Sequence, residues 1–385
     1  MKIITTTDDL AAFCAAAAAH PFVTVDTEFL RERTYYAQLC LVQLAFPGTG
    51  DENAALIDPL ADGLSLDPLY DLFRDESVVK VFHAARQDLE IFFVDAGVIP
   101  KPLFDSQVAA MVCGFGDQVS YEALVRKITK RSMDKSSRFT DWSRRPLSQD
   151  QQTYALADVT HLRDVYLFLS QKLARTGRAA WVEEELAILT DPQTYITDPA
   201  TAWRRVKTRN TAPRFMAQVM ALAEFRETYA QGRNIPRSRV FKDDALLEIA
   251  SLKPQSESDL GKSRLLLREA RKGEIAAGIL KAVAGALSLP REALPKPTPE
   301  GEKLQVNPAL ADLLRVLLKA KTDQHDVAPK LLANSADLDA LAAGKRDVMA
   351  LQGWRADVFG NDALRLCNGE VGLAVQGERV VLVAL

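Results

Sequence analysis

Over residues 1–190, short apolar runs alternate with amphipathic stretches, the pattern of strands interleaved with helices. Phe22–Phe29 (FVTVDTEF), Leu39–Phe46 (LCLVQLAF) and Ala54–Asp58 (AALID) read as three strands with short connections, which predicts an antiparallel meander. Val78–Phe82 (VVKVF) predicts a fourth strand, followed by a helix from about Gln87 to Ala96. Leu103–Phe104 reads as a short fifth strand before a helix around Ser106–Cys113. Gln149–Ala174 carries an apolar stripe through Tyr154, Leu156, Val159, Leu162, Tyr166 and Leu169, the spacing of a long helix. The run Ala15–Ala19 reads as the end of a first helix, stopped near His20-Pro21. Mixed strands with flanking helices define an α/β domain.

Beyond this domain the period changes. Asp191-Pro192 and Asp198-Pro199 mark a linker, and from about Ala212 to Leu289 each periodic segment is helical. Leu294–Gln305, rich in Pro and charge, reads as a second linker. Helical spacing resumes over 307–366, opened by Asn307-Pro308, a cap followed by proline at the first helical position. The tail Glu370–Leu385 alternates around Gln376-Gly377 like a β-hairpin.

Composition changes this picture in three places. No run approaches the ~18 apolar residues of a membrane span, and the N-terminal MKIITTTDDL lacks the basic region of a secretory signal. The expectation is a cytoplasmic protein. Cys14, Cys40, Cys113 and Cys367 form no CxxC and no cysteine–histidine cluster, which argues against structural zinc and for small core residues. The net charge of −3 conceals an asymmetry: Pro199–Pro290 holds 17 Lys+Arg against 9 Asp+Glu, and the remainder holds 31 against 42. A basic helical module beside an acidic α/β domain suggests nucleic-acid contact by the first and metal binding by the second. A solvated helical surface accounts for the same charge.

The candidate chemistry lies in carboxylates. Asp26 and Glu28 sit two apart within an apolar strand, so both side chains leave the same face. Two acids at such positions are costly unless a cation compensates them. Asp88 opens a helix directly after the VVKVF strand, and Tyr154 and Asp158 share one helix face at i and i+4. Oxygen-only ligands favour Mg²⁺ or Mn²⁺. Two such ions, roughly 3.5–4 Å apart, suit in-line phosphoryl displacement. Tyr154 stands where it could orient or deprotonate the attacking water. Singly, these pieces are common in proteins; their order and their strand and helix context are what make them specific.

VDTEF, FHAARQDLE and YALADV resemble the three motifs of the DEDD exonuclease superfamily, in the branch with Tyr-x3-Asp in its third motif. DTEFLRERTYYAQLCLVQL, LFDSQVAAM and DKSSRFTDWSRRPLSQDQQTYALADV narrow the resemblance to the ribonuclease D family. That resemblance implies a ribonuclease H-like α/β fold over 1–190. It implies an HRDC domain, the helical module shared with RecQ-type helicases, over 208–290 and a divergent HRDC-like copy with the hairpin-like tail over 306–385. The terminal hairpin departs from the family pattern. The implied activity is two-metal hydrolysis of RNA from the 3′ end to nucleoside 5′-monophosphates. Asp26, Glu28, Asp88 and Asp158 would be the Mg²⁺ or Mn²⁺ ligands and Tyr154 the catalytic tyrosine. The implied substrate is RNA with a free single-stranded 3′ end, with tRNA precursors foremost and no obligate protein partner.

Around this set, Thr27, Phe29, Leu30, His83 and Lys135 are candidates for substrate contact. Phe29 also alternates into the core with Val23 and Val25, His83 is equally a satisfied strand-end histidine, and Lys135 equally a solvated loop lysine. Arg31, Arg33, Tyr35 and Tyr36 interleave charge with rings, which suits a single-stranded RNA path or a sheet cover. Asp105 reads as support for the metal set, and Trp142 and Arg145 as holding the Lys135 loop. Arg204, Arg205, Lys207, Arg209, Arg237, Arg239, Lys242, Arg268, Arg271 and Lys272 are candidate phosphate-binding residues. Two alternatives stand beside the exoribonuclease reading. One is a DNA 3′→5′ exonuclease, since the metal chemistry is indifferent to the sugar; the other is a nucleic-acid-binding module with a weak or dead nuclease.

Overall fold

The computed structural model describes residues 2–48, 50–133, 140–296 and 304–385. The chain divides into two compact units: Met1–Glu28, Leu39–Thr194 and Lys303–Leu385 form one, and Phe29–Gln38 with Tyr195–Glu302 form the other.

The first unit is built on a six-stranded sheet. Its strands are β1 (Lys2–Ile4), β2 (Phe22–Leu30), β3 (Gln38–Ala45), β4 (Ala54–Ile57), β5 (Val79–Phe82) and β6 (Leu103–Asp105), in the spatial order β1-β4-β3-β2-β5-β6. β3 and β4 pair antiparallel, while β1 joins β4, and β5 joins both β2 and β6, in parallel. The expected meander is therefore one part of a mixed sheet. β1 escaped the pattern because three residues cannot establish a period. Val23, Val25, Leu41, Val42, Leu44, Leu56, Ile57, Val81 and Phe82 are fully buried, so β2 lies in the middle of the core.

Helices α1 (Thr7–Ala18), α2 (Asp67–Arg74), α3 (Arg86–Ala96), α4 (Ser106–Val112), α5 (Tyr121–Thr129), α6 (Gln149–Thr176) and α7 (Ala179–Thr190) accompany the sheet. α6 starts at a capping box: the Ser148 hydroxyl accepts from the Gln151 N–H, and the Gln151 side chain accepts from the Ser148 N–H. It ends at Gly177, whose φ of 66° is the left-handed cap that glycine adopts without strain. α2, α5 and α7 lie outside the elements expected from periodicity.

The same unit includes the C-terminal block: α13 (Pro308–His325), α14 (Pro329–Leu332), α15 (Ser335–Ala342), α16 (Gly353–Arg355), α17 (Asn361–Cys367) and the hairpin β7 (Val371–Gln376) and β8 (Arg379–Ala384), numbered after the helices of the second unit. Leu373 and Leu382 of the hairpin pack on the block's own core of Leu314, Leu317, Phe359 and Leu366, so the tail closes that core. Trp354 stacks on Trp181 of α7 with ring centroids 4.4 Å apart, and its Nε1 donates to Glu185 at 2.9 Å. Arg355 donates to Glu184 and Glu185. Lys172 of α6 pairs with Asp326 at 3.1 Å.

The second unit is helical: α8 (Pro213–Gly232), α9 (Arg237–Val240), α10 (Asp243–Leu252), α11 (Glu257–Leu260) and α12 (Gly273–Ser288). Its core gathers Leu222, Val240, Phe241, Leu246, Ile249, Ile279 and Val283. Among the described residues no helix is long and apolar enough to cross a membrane.

Candidate active site

β2 pairs with β5 from Phe22↔Val79 to Thr24↔Val81, and β5 ends at Phe82. Asp26 and Glu28 therefore lie past that pairing, at the carboxyl end of β5, where open α/β sheets place their ligands. The buried Thr24 hydroxyl donates to the Val159 carbonyl at 2.8 Å, which ties the strand two residues before Asp26 to the helix residue after Asp158. Asp26, Glu28 and Asp158 each offer a carboxylate oxygen, and these atoms lie within 4.8 Å of one another. Asp88, in the first turn of α3, is buried and accepts from the Thr27 hydroxyl. It stands beside this trio rather than within its radius.

The electrostatics match a set of acids without a counter-charge. Burial, with Asp158 beside it, pushes the Asp26 carboxyl well above the usual carboxylate range, and the Thr27 N–H offsets part of that. Burial and the neighbouring Asp26 raise Asp88 in the same way, against the Thr27 hydroxyl. Such a cluster holds protons unless a cation displaces them. The donor set is oxygen only, so the residues present fit a hard divalent ion.

Asp105 organises the approach to Asp88. It caps α4, accepting from the N–H of Gln107 at 2.8 Å, and it accepts from Ala84 at 3.0 Å and Ala85 at 2.8 Å. Ala84 has a φ of 59°, a conformation unfavourable for alanine that those bonds hold in place. His83, next in the chain, has Nδ1 at 2.9 Å from the Ser106 hydroxyl; burial lowers its pKa and Asp105 partly restores it.

Tyr154 is half-buried one helical turn before Asp158, its ring 6.1 Å from that of Trp142. Arg145 grips Asp58 with Nε at 2.6 Å and Nη2 at 2.7 Å, and also reaches the carbonyls of Cys40 and Trp142. This fixes residues 140–147 as expected of Trp142 and Arg145. Lys135 itself lies outside the described residues. Thr27 is buried on Asp88, and Phe29 and Leu30 are half-buried at the end of β2.

Tyr121 was missed by sequence reasoning. Its hydroxyl donates to the Asp158 carbonyl, and burial with Asp158 and Asp26 nearby pushes its pKa far up, so it remains a neutral donor. The available signal was Ser120, whose hydroxyl caps α5.

Of the ten candidate phosphate-binding residues, two are committed within the helical unit. Arg237 pairs with the buried Glu227, and Arg271 donates to the carbonyls of Ser263 and Leu266. Arg204, Arg205, Lys207, Arg209, Arg239, Lys242, Arg268 and Lys272 are exposed.

A mixed sheet with a carboxylate cluster at its strand ends defines a 3′→5′ exonuclease, and residues 1–174 match the 3'-5' exonuclease family; residues 217–283 match the HRDC domain. The chain is 64% identical over 380 residues to Ribonuclease D of Jannaschia sp. (strain CCS1), covering 99% of this chain and 98% of that one. It is 51% identical to Ribonuclease D of Granulibacter bethesdensis over 99% of this chain and 96% of the relative. The crystal structure of Escherichia coli RNase D, an exoribonuclease involved in structured RNA processing, superposes with a TM-score of 0.81 at 30% identity, covering 95% of this chain and 98% of that one. The chain belongs to the ribonuclease D family and is a 3′→5′ exoribonuclease.

Proposed function

We propose that Asp26, Glu28, Asp88 and Asp158 together hold two divalent ions, Mg²⁺ or Mn²⁺, at which the terminal phosphodiester of RNA is hydrolysed to a nucleoside 5′-monophosphate. The observation that carries this reading is the grouping of the Asp26, Glu28 and Asp158 oxygens within 4.8 Å, with Asp88 joined to the same strand through Thr27. Bound ions would supply a hydroxide-like nucleophile and neutralise charge at the leaving 3′-oxygen. The chain's own residues do the rest. Tyr154, one turn from Asp158, orients the water or accepts its proton. Thr24 and Tyr121 hold Asp158's backbone against the acid strand. Thr27, Phe29, Leu30, His83 and Lys135 bound the terminal nucleotide, with Phe29 and Leu30 as the apolar wedge.

The substrate is RNA with a free single-stranded 3′ end, tRNA precursors being the first class to examine, in a cytoplasmic setting without an obligate protein partner. The structured-RNA role of the Escherichia coli relative supports this choice. Residues 1–190 constitute the exonuclease domain, 208–290 the HRDC domain and 306–385 a second HRDC-like domain with its hairpin. The test uses full-length protein with 3′-labelled single-stranded RNA and the matched DNA, in Mg²⁺, Mn²⁺ or EDTA. Stepwise loss of the label as 5′-monophosphate from RNA, abolished by EDTA, supports the reading. Equal or faster loss from DNA would favour the DNA exonuclease instead.

A further inference from the structure

The segment that continues β2 belongs, by its packing, to the helical unit. Only Arg31–Thr34 separate the end of β2 from Tyr35. Tyr35 is held by a polar cluster from α8, α9 and the turn between them. Its hydroxyl donates to Glu227, which is 1% exposed, and accepts from Arg237 at 2.7 Å and from Gln231 at 3.2 Å. The Arg237 guanidinium also lies over the Tyr35 ring, 4.7 Å from its centroid, and donates to Glu227 at 2.6 Å. The Asn234 side-chain oxygen accepts from the N–H of Tyr35 at 3.1 Å and of Tyr36 at 3.0 Å.

Surface loops rarely receive a buried carboxylate, a guanidinium and two backbone bonds at one point. A buried charged network of this kind specifies a position more than it adds stability. The position specified is that of the chain emerging from the acid strand. The register of β2 with β5 stops at Thr24, so the stretch bearing Asp26 and Glu28 lies beyond it and depends on what fixes its far end.

We infer that Glu227, Asn234 and Arg237 of the helical unit are positioning residues for the exonuclease reaction: by clamping Tyr35 and Tyr36 they hold the end of β2, and so the placement of Asp26 and Glu28. This rests on the proposal that those two acids are metal ligands. It gives the helical unit a role in turnover as well as in RNA affinity, and it takes Tyr35 out of the candidate RNA path.

The experiment uses the full chain with Asn234→Gly, Asn234→Asp and Tyr35→Phe. Asn234 has a φ of 49°, so glycine removes the acceptor without backbone strain, while aspartate keeps an acceptor. Tyr35→Phe keeps the ring over Arg237 and removes only the hydroxyl. The readouts are kcat and KM on a 3′-labelled RNA, together with Mn²⁺ affinity by calorimetry without RNA. Displacement of the ligand strand by a fraction of an ångström to about 1 Å corresponds to roughly 10- to 100-fold in rate. The expected result is a fall of that order in kcat for Asn234→Gly, a smaller fall for Tyr35→Phe, weaker Mn²⁺ binding in both, and recovery in Asn234→Asp. Wild-type kcat and Mn²⁺ affinity in Asn234→Gly and Tyr35→Phe would overturn the inference, as would a change confined to KM. Failure of the wild-type protein itself to bind Mn²⁺ would instead strike the metal-site reading on which the inference rests.

Discussion

Asp26 and Glu28 were legible in the sequence because strand alternation puts i and i+2 on one face, and acids on an apolar strand conflict with burial. Asp158 and Tyr154 were legible through helical i, i+4 spacing. Thr24 and Tyr121 were not, since a threonine in a strand and a tyrosine in a short helix satisfy ordinary propensities, and only tertiary contact shows their partners. The acids make a stability prediction. Asp26 and Asp88 have folded pKa values raised above the unfolded carboxylate value of 3.8. Their protonation therefore stabilises the metal-free fold fully below pH 3.8, and that contribution is lost as pH rises through the raised values. Asp26→Asn should abolish hydrolysis yet raise the metal-free melting temperature at pH 7.5, with a smaller dependence of melting temperature on pH than the wild type. A lower melting temperature with the wild-type pH dependence would contradict this account of the site. Tyr154→Phe keeps the ring against Trp142 and should slow single-turnover cleavage on the order of 10²-fold; an unchanged rate would leave Tyr154 a packing residue.

At the scale of elements, the site is the meeting of β2, the start of α3 and the middle of α6. Periodicity located all three, because each is long or strongly apolar. It missed β1, at three residues, and the helices α2, α5 and α7, whose lengths of 8, 9 and 12 residues follow turns that sequence pattern alone did not reveal. The join between elements depends on single side chains. Thr24→Val preserves shape but removes the bond to the Val159 carbonyl, so it should cost about 1 kcal/mol of stability and lower kcat with little change in KM. An unaltered kcat would mean that β2 and α6 are aligned by apolar packing alone. Asp105→Ala removes a buried acceptor of several backbone N–H groups and should cost roughly 2–4 kcal/mol by urea denaturation, since Ala84 and Ala85 lose the partner that holds the entry to α3.

For the whole molecule, the charge asymmetry anticipated a basic helical module. It could not anticipate that residues 29–38 pack with that module, or that the C-terminal block packs with the exonuclease domain, because sequence separation hides both. The linker-like 294–305 suggested an independent third domain, whereas the Trp181–Trp354 stack and the Arg355 pair with Glu184 and Glu185 bind that block to α7. Ending the chain at residue 296 should therefore destabilise the exonuclease domain by about 2–3 kcal/mol, the value of uncovering one large apolar side chain. An unchanged denaturation midpoint for the sheet domain would show the block to be energetically separate. The exposed Arg204, Arg205, Lys207 and Arg209 should supply affinity without chemistry. Their replacement by glutamine should flatten the log–log salt slope of RNA binding by roughly 0.7 for each phosphate they neutralise in the wild type and leave kcat intact.

The central claim is that the carboxylates from β2, α3 and α6 form one metal site. Calorimetric titration of Mn²⁺ into metal-free full-length protein tests it most directly, with wild type beside Asp26→Asn and Asp158→Asn. The account predicts two ions per chain in the wild type, with loss of at least one in each variant, and proton release on binding because Asp26 and Asp88 start with raised pKa values. Undiminished stoichiometry and affinity in both variants would contradict it.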